Sequence, residues 1–141
     1  AEDKTNFDKR TKVLEEHFST IEIVNGRCVN GKMTLGENIG DNGGLNISLR
    51  AMHNAMADGK AVMMKDDKFT ADRRFFLAYA RIWASNNREQ YLDMLLNIDV
   101  HSPNVARVNG ALPHIDAWYD AFNVKKSDKL YIPKKKRARV W

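Results

Sequence analysis

The chain has 141 residues, of which 43% are hydrophobic, and this suffices for one globular domain with a real core. It contains no run of about 18 apolar residues that could span a bilayer, and its single cysteine, Cys28, excludes an internal disulfide bond. The net charge of +5 raises the possibility of a nucleic-acid partner. Much of that excess lies in the terminal stretch KKKRARVW, where a solvated basic tail is the commoner explanation. We therefore expect no nucleic-acid partner and no membrane contact from this chain.

The first half of the chain predicts two helices. Apolar residues recur among charged ones at roughly helical spacing over residues 3–24, and the turn-rich segment GRCVNGKM follows. Thr34, followed three residues later by Glu37, forms a capping-box pattern that predicts a second helix to about residue 57. Inside it lie glycines that each cost about 1 kcal/mol relative to alanine: Gly36, Gly40, Gly43 and Gly44. Either another backbone or a metal site packs against this face, or the helix is broken there.

The second half predicts three shorter helices. Thr70 begins one that continues through the apolar segment FFLAYARIWA, and a second spans Tyr91 to Ile98. Residues 99–112 contain Pro, Asn and Gly and are predicted to form an extended loop. A last helix is predicted over Pro113 to Phe122, with the proline in its first turn. No repeat or linker interrupts the chain, which is predicted to form a single mainly α unit.

Two acidic residues in the glycine-rich helix are the first candidates for chemistry. Glu37 and Asp41 are four residues apart, so they share one helix face and repel each other slightly. A bound cation or nearby histidines would reverse the sign of that interaction. A metal ligand beside a carboxylate that orients a ligating histidine has this geometry. Spacing alone does not decide, because a solvated helix face accounts for most such pairs.

The longer string around these acids resembles a known family. TLGENIGDNGG is similar to the glutamate-donating helix of the neprilysin and endothelin-converting enzyme family of zinc endopeptidases, whose pattern is Glu-Asn-Ile-Ala-Asp-x-Gly-Gly. Two more blocks match in the same order, DVHSP with the string RVNG that follows it, and the terminal RVW. The resemblance is strong over residues 34–141 and weaker over residues 1–33. It implies a single mainly α unit over residues 1–141, the C-terminal helical part of a thermolysin-like (zincin) catalytic domain.

The resemblance also implies roles for individual residues. Glu37 would be the third zinc ligand, and Asp41 would hydrogen-bond and orient one of the ligating histidines. His101 would stabilise the oxyanion of the tetrahedral intermediate, and Arg107 would bind a substrate carbonyl. The implied reaction is zinc-assisted attack of water on a peptide bond.

Substrate preference follows from two further matched positions. Ile82 and Trp83 match residues that line the pocket for the side chain after the cleaved bond, which implies cleavage on the amino side of large hydrophobic residues. Plainer interpretations remain open, because such residues are ordinary core in most helices, and a lone loop histidine is more often a surface residue. In favour of His101, Asp99 lies two residues away and could help to keep it protonated.

The zinc site cannot be complete in this chain. A catalytic site of this type needs a His-Glu-x-x-His helix that supplies two nitrogens and a general base. None of the four histidines stands in such a motif: His17, His53, His101 and His114. We therefore expect the N-terminal part of the same protein to supply that helix, and this chain alone to be an inactive piece of a longer protein.

The resemblance and the composition lead to three further expectations. Val124 and Ala138 stand where vertebrate members carry cysteines, which favours a bacterial member. Its location would be secreted, periplasmic or at the cell surface. Apolar surface left uncovered in the isolated chain would favour self-association. The alternative function is a helical module that binds peptides without cleaving them.

Overall fold

The computed structural model describes residues 1–61 and 68–140, and over these ranges the fold is mainly α, as predicted. No helix among these residues is both long and apolar enough to cross a membrane. The helices are α1 (Glu2–Phe18), α2 (Leu35–Ala57), α3 (Ala71–Ile82), α4 (Glu89–Ile98), α5 (Asn104–Ala111) and α6 (Asp116–Phe122). Two short strands, β1 (Glu22–Val24) and β2 (Arg27–Cys28), pair as an antiparallel hairpin, and 3-10 turns span Leu112–His114 and Lys134–Lys136.

The first helix is shorter than predicted. It ends at Phe18 instead of residue 24, because the chain reverses into the β1–β2 hairpin. Asn25 and Gly26 form the turn with φ angles of 50° and 75°, a left-handed pair that matches the twist of the two strands. The side chain of Glu22 accepts a hydrogen bond from the Gly26 amide and helps to close this turn.

Helix α2 begins where it was predicted but without the predicted cap. The Thr34 hydroxyl donates to the carbonyl of Asn30 and accepts from Asn38, so no capping box forms with Glu37. The helix is continuous through its glycines. A Cβ added to three of them, four residues apart, would meet no atom within 4 Å: Gly36, Gly40 and Gly44. The helix is therefore unbroken, and within the described residues nothing packs against these three glycines, whereas Gly43 is buried.

In the second half of the chain one prediction is confirmed and another is wrong. Thr70 does cap α3, since its hydroxyl accepts a hydrogen bond from the amide of Arg73. The predicted loop over residues 99–112 is wrong, because α5 occupies most of it. Tertiary packing explains this helix, since a Cβ added at Gly110 would lie 2.7 Å from the Phe18 ring. Only glycine allows α5 and α1 to approach so closely.

The last helix begins later than predicted. Pro113 lies in the preceding 3-10 turn, and α6 starts at Asp116. It ends at Phe122, and the following Asn123 has a φ of 54°, the left-handed conformation common after a helix.

Two buried clusters form the core. One joins α2, α3 and α6 through Leu45, Leu49, Phe76, Leu112, Ile115 and Trp118. The other joins α1, the residue after β2, α5 and the C-terminal segment through Leu14, Phe18, Val29, Ala106, Ala138 and Val140. Helices α2 and α5 contact each other between the clusters, which fixes the relative positions of the residues that they carry.

Candidate functional site

The four residues predicted to act on the metal and substrate lie together. Glu37 and Asp41 are in the first turns of α2, His101 is in the loop after α4, and Arg107 is in α5. The His101 Nε2 lies 3.4 Å from the Glu37 Oε2, and the Arg107 Nη2 lies 3.8 Å from the same oxygen. Arg107 also binds Asp41 through two hydrogen bonds of 2.7 Å. The fold thus joins segments more than 60 residues apart into one polar cluster.

Arg107 is the rigid centre of this cluster. Its side chain is 12% exposed, and its Nε and Nη2 donate to the two carboxylate oxygens of Asp41. The guanidinium lies 3.9 Å from the centre of the Trp83 ring, within cation–π distance. The hydrogen bonds to Asp41 raise the pKa of Arg107 above its ordinary value. Tyr79 donates to the Arg107 backbone carbonyl at 3.1 Å, so both ends of the residue are held.

His101 is oriented by its own loop. The Oδ1 of Asp99 accepts from the His101 backbone amide and lies 2.8 Å from its ring Nδ1. The backbone hydrogen bond is the main reason why the pKa of Asp99 is lowered, so this carboxylate stays charged. Because a carboxylate accepts from Nδ1–H, the ring presents Nε2 towards Glu37. The contact between Asp99 and His101 was anticipated from their spacing.

A buried polar chain ties the His101 loop to α2. The Ser102 hydroxyl donates to the Asn38 Oδ1 at 2.8 Å, and the Asn38 amide donates to Thr34 at 2.9 Å. All three side chains are at most 2% exposed. Sequence reasoning missed this chain, although Asn38 and Ser102 both stand inside the strings GENIG and DVHSP. Its effect is to fix the loop that carries His101 against the helix that carries Glu37.

The two predicted pocket residues lie at the end of α3. Trp83 is half-buried beneath Arg107, whereas Ile82 is 72% exposed. Ile82 lines a mostly apolar cavity of about 320 Å³ between α2 and α3, together with Gly40, Asp41, Gly44, Leu45, Phe75 and Tyr79. The structure therefore brings Ile82 beside Asp41 and Trp83 beside Arg107. Phe75 and Tyr79 were not predicted from the sequence.

The donor set for a metal is partial. Within the described ranges no group of three or more His, Cys, Asp or Glu residues is placed to hold a metal ion. The side chain of Glu37 is 43% exposed and stands beside the open glycine face of α2, so its carboxylate can be reached from outside the chain. An accessible carboxylate of this kind can serve as one ligand of a metal ion.

Comparison with known proteins settles the family. The profile of peptidase family M13 matches residues 1–138. The chain belongs to peptidase family M13. It is 31% identical over 140 residues to a neutral endopeptidase of Lactococcus lactis, covering 99% of this chain and 20% of that protein. Identity to human neprilysin is also 31% over 140 residues, covering 97% of this chain and 18% of neprilysin.

A solved structure of the family shows the same fold. The zinc metalloprotease Zmp1 of Mycobacterium tuberculosis, in complex with an inhibitor, superimposes with a TM-score of 0.90 at 34% identity. The match covers 99% of this chain and 22% of Zmp1. The chain thus spans about a fifth of the length of the relatives that it matches.

Proposed function

We propose that this chain supplies one side of the active site of a zinc metallopeptidase, which the rest of the same protein completes. The observation that carries the proposal is the cluster in which Glu37 faces His101 and Arg107 while Asp99 and Asp41 hold those two side chains in place. Membership in family M13 supports peptide-bond hydrolysis as the reaction class. The relative named above as a zinc metalloprotease supports zinc as the metal.

Glu37 would bind the zinc, and Asp41 would orient a histidine ligand. A bound zinc would supply the Lewis acidity that activates water or polarises the scissile carbonyl. Asp41 accepts two hydrogen bonds from Arg107. A carboxylate has about four acceptor positions, so Asp41 retains capacity for an imidazole N–H from outside the chain. The two acids on one face of α2 would then have different roles: Glu37 would bind the metal, and Asp41 would bind a histidine that ligates the metal.

His101 and Arg107 would bind the substrate at the reacting carbonyls. The Nδ1 side of His101 is held by Asp99, so its Nε2, which lies 3.4 Å from the Glu37 Oε2, is the nitrogen through which a protonated ring would donate to a developing oxyanion. Asp41 engages the Nε and Nη2 of Arg107, and Nη1 is the nitrogen left to donate to a substrate carbonyl. Both donors are positioned before the substrate arrives, which is what makes such groups effective.

The residue after the cleaved bond would lie against α3. Ile82 and the cavity beside it present mostly apolar surface next to Asp41, and Trp83 lies separately under Arg107. Such a surface favours a large hydrophobic side chain. We therefore propose cleavage on the amino side of Phe, Leu or similar residues.

The open glycine face of α2 supports completion by another segment. Gly36, Gly40 and Gly44 recur every four residues, so their Cα atoms lie along one side of the helix next to Glu37. Without side chains this strip allows another backbone to approach closely. We propose that the helix carrying the remaining metal ligands packs at the Gly36 end of this strip, beside Glu37, and leaves the cavity at Gly40 and Gly44 open to the substrate side chain.

Steady-state kinetics of the intact protein test the proposal. Wild type should cleave a peptide with Phe after the scissile bond and not its counterpart with Asp there. Replacing His101 with Gln should lower kcat by about 100-fold, since oxyanion donors contribute at that scale. Arg107→Lys should lower kcat/KM because the planar fork is lost. The exposed Lys12→Gln variant is the control and should match wild type.

Two outcomes would contradict the proposal. Peptide binding without cleavage by zinc-loaded wild-type protein would favour a non-catalytic binding module. Full activity in both the His101→Gln and Arg107→Lys variants would show that the cluster is not the site.

A further inference from the structure

One tyrosine contacts both parts of the proposed substrate site. Tyr79, near the end of α3, lines the apolar cavity beside Ile82. Its hydroxyl donates to the backbone carbonyl of Arg107 in α5 at 3.1 Å. Its ring contacts Trp83 edge to face, with 6.4 Å between the ring centres. Tyr79 thus lies between the wall of the cavity and the residue proposed to bind a substrate carbonyl.

The two helices that Tyr79 connects are anchored near the site in different parts of the core. Phe76 anchors α3 in the cluster shared with α2 and α6, whereas Ala106 anchors the first turn of α5 in the cluster shared with α1. Their separation at the site therefore depends on contacts that cross between them, and the hydrogen bond from Tyr79 to Arg107 is such a contact. Removal of the hydroxyl alone would leave the apolar contacts of both clusters in place.

The Tyr79 hydroxyl is held in its donor form. Burial raises the pKa of Tyr79 above its ordinary value, and the negative charge of Asp41 raises it further. The hydroxyl therefore keeps its proton at neutral and mildly alkaline pH and can donate to the Arg107 carbonyl. This bond holds the backbone of Arg107, while Asp41 holds its guanidinium. Arg107 is thus positioned from both ends, by α3 and by α2.

The substrate explains why this position matters. The residue after the cleaved bond carries, on one Cα, both the side chain that would enter the cavity and the carbonyl that Arg107 would bind. Both groups begin about 1.5 Å from that atom, so the cavity and the donor must keep their separation to within about 0.5 Å. We propose, on the basis of the function proposed above, that Tyr79 is a positioning residue that sets this separation, so that one substrate residue engages the cavity and Arg107 together.

Steady-state kinetics of the intact zinc-loaded protein test the proposal. Tyr79→Phe keeps the ring in the cavity wall and removes the hydroxyl. It should lower kcat/KM about fivefold, the ratio that one neutral hydrogen bond contributes, and equally for peptides with Phe or Leu after the cleaved bond. The matched control is Tyr119→Phe, which removes a hydroxyl that donates to the Pro113 carbonyl at 2.8 Å in the core. It should leave kcat/KM unchanged, and both variants should bind as much zinc as wild type.

A double-mutant comparison separates positioning from general stability. In the Arg107→Lys background, Tyr79→Phe should lower kcat/KM by less than about twofold, because a flexible lysine side chain gains little from a fixed backbone. The proposal is overturned if Tyr79→Phe matches wild type, if Tyr119→Phe loses as much activity, or if the fivefold loss persists in Arg107→Lys. Full activity in Arg107→Lys alone would contradict the proposed function, and the role of Tyr79 with it.

Discussion

Acid should destabilise the fold through two histidines in contact, His114, which is buried, and His17, which is half-buried. The rings of His17 and His114 contact edge to face with 4.8 Å between their centres, and neither Nε2 has a hydrogen-bond partner in the structure. Burial lowers the pKa of both, that of His114 to about 3, with smaller contributions from His17 and Arg137. Protonation of His114 would also remove the lone pair that accepts from the Ala138 amide.

The sign and size of this pH effect follow from the difference in proton binding between the folded and unfolded states. Because the folded-state pKa of His114 lies below the unfolded value of 6.5, the unfolded chain binds more protons between pH 6.5 and 3. The contribution of neutral His114 to the free energy of unfolding is therefore fully present above pH 6.5, and it decreases as the solution becomes more acidic. Between pH 7.5 and pH 5 the loss from His114 alone is roughly 2 kcal/mol. His17 adds a loss of the same sign.

Between pH 7.5 and pH 5 the change in the free energy of unfolding comes mainly from the histidines. The carboxyl groups with lowered pKa, Asp99 and Asp116, are ionised in both states at pH 5 to within a few per cent. Urea unfolding of the chain at pH 7.5 and 5, followed by tryptophan fluorescence, measures the loss. The His114→Gln variant keeps an acceptor for Ala138 and should lose roughly 2 kcal/mol less than wild type. Equal losses in both proteins would refute the assignment of a neutral, buried His114.

Three substitutions test the packing around the site. Gly110→Ala should destabilise the chain by about 1–3 kcal/mol, because the new methyl would lie 2.7 Å from the Phe18 ring. Gly36→Ala, on the open face of α2, should instead stabilise the isolated chain by about 0.5–1 kcal/mol, and a destabilisation would show that this face is covered. Ser102→Ala should cost about 1–3 kcal/mol by leaving the Asn38 Oδ1 buried without a donor. Urea unfolding measures all three, and an unchanged midpoint in Ser102→Ala would remove the proposed tie between loop and helix.

Local signals in the sequence predicted some elements and missed others. Thr70 caps α3 as expected, because an N-cap depends only on neighbouring residues. The Asn25–Gly26 turn carried a strong hairpin signal, yet Ile21 continued the helical spacing and concealed it. Helix α5 has a weak intrinsic preference, since its sequence NVARVNGA includes asparagine, valine and glycine, and contacts with α1 and α2 stabilise it.

The sequence singled out the residues of the candidate site but not the contacts among them. Matched strings singled out Glu37, Asp41, His101 and Arg107, but they could not show that Arg107 binds Asp41 through both oxygens. Those contacts depend on how α2 and α5 pack, which no local pattern determines. The same reason explains why the Ser102–Asn38 bond was missed.

Zinc stoichiometry of the intact protein tests the central claim most directly. We predict one zinc per molecule in wild type by elemental analysis after dialysis, and loss of at least 90% of it in Glu37→Gln, because a third of the protein ligands is removed. The control, Glu16→Gln, removes an exposed carboxylate from α1 and should retain the metal. Full zinc occupancy in Glu37→Gln, or none in wild type, would contradict the account.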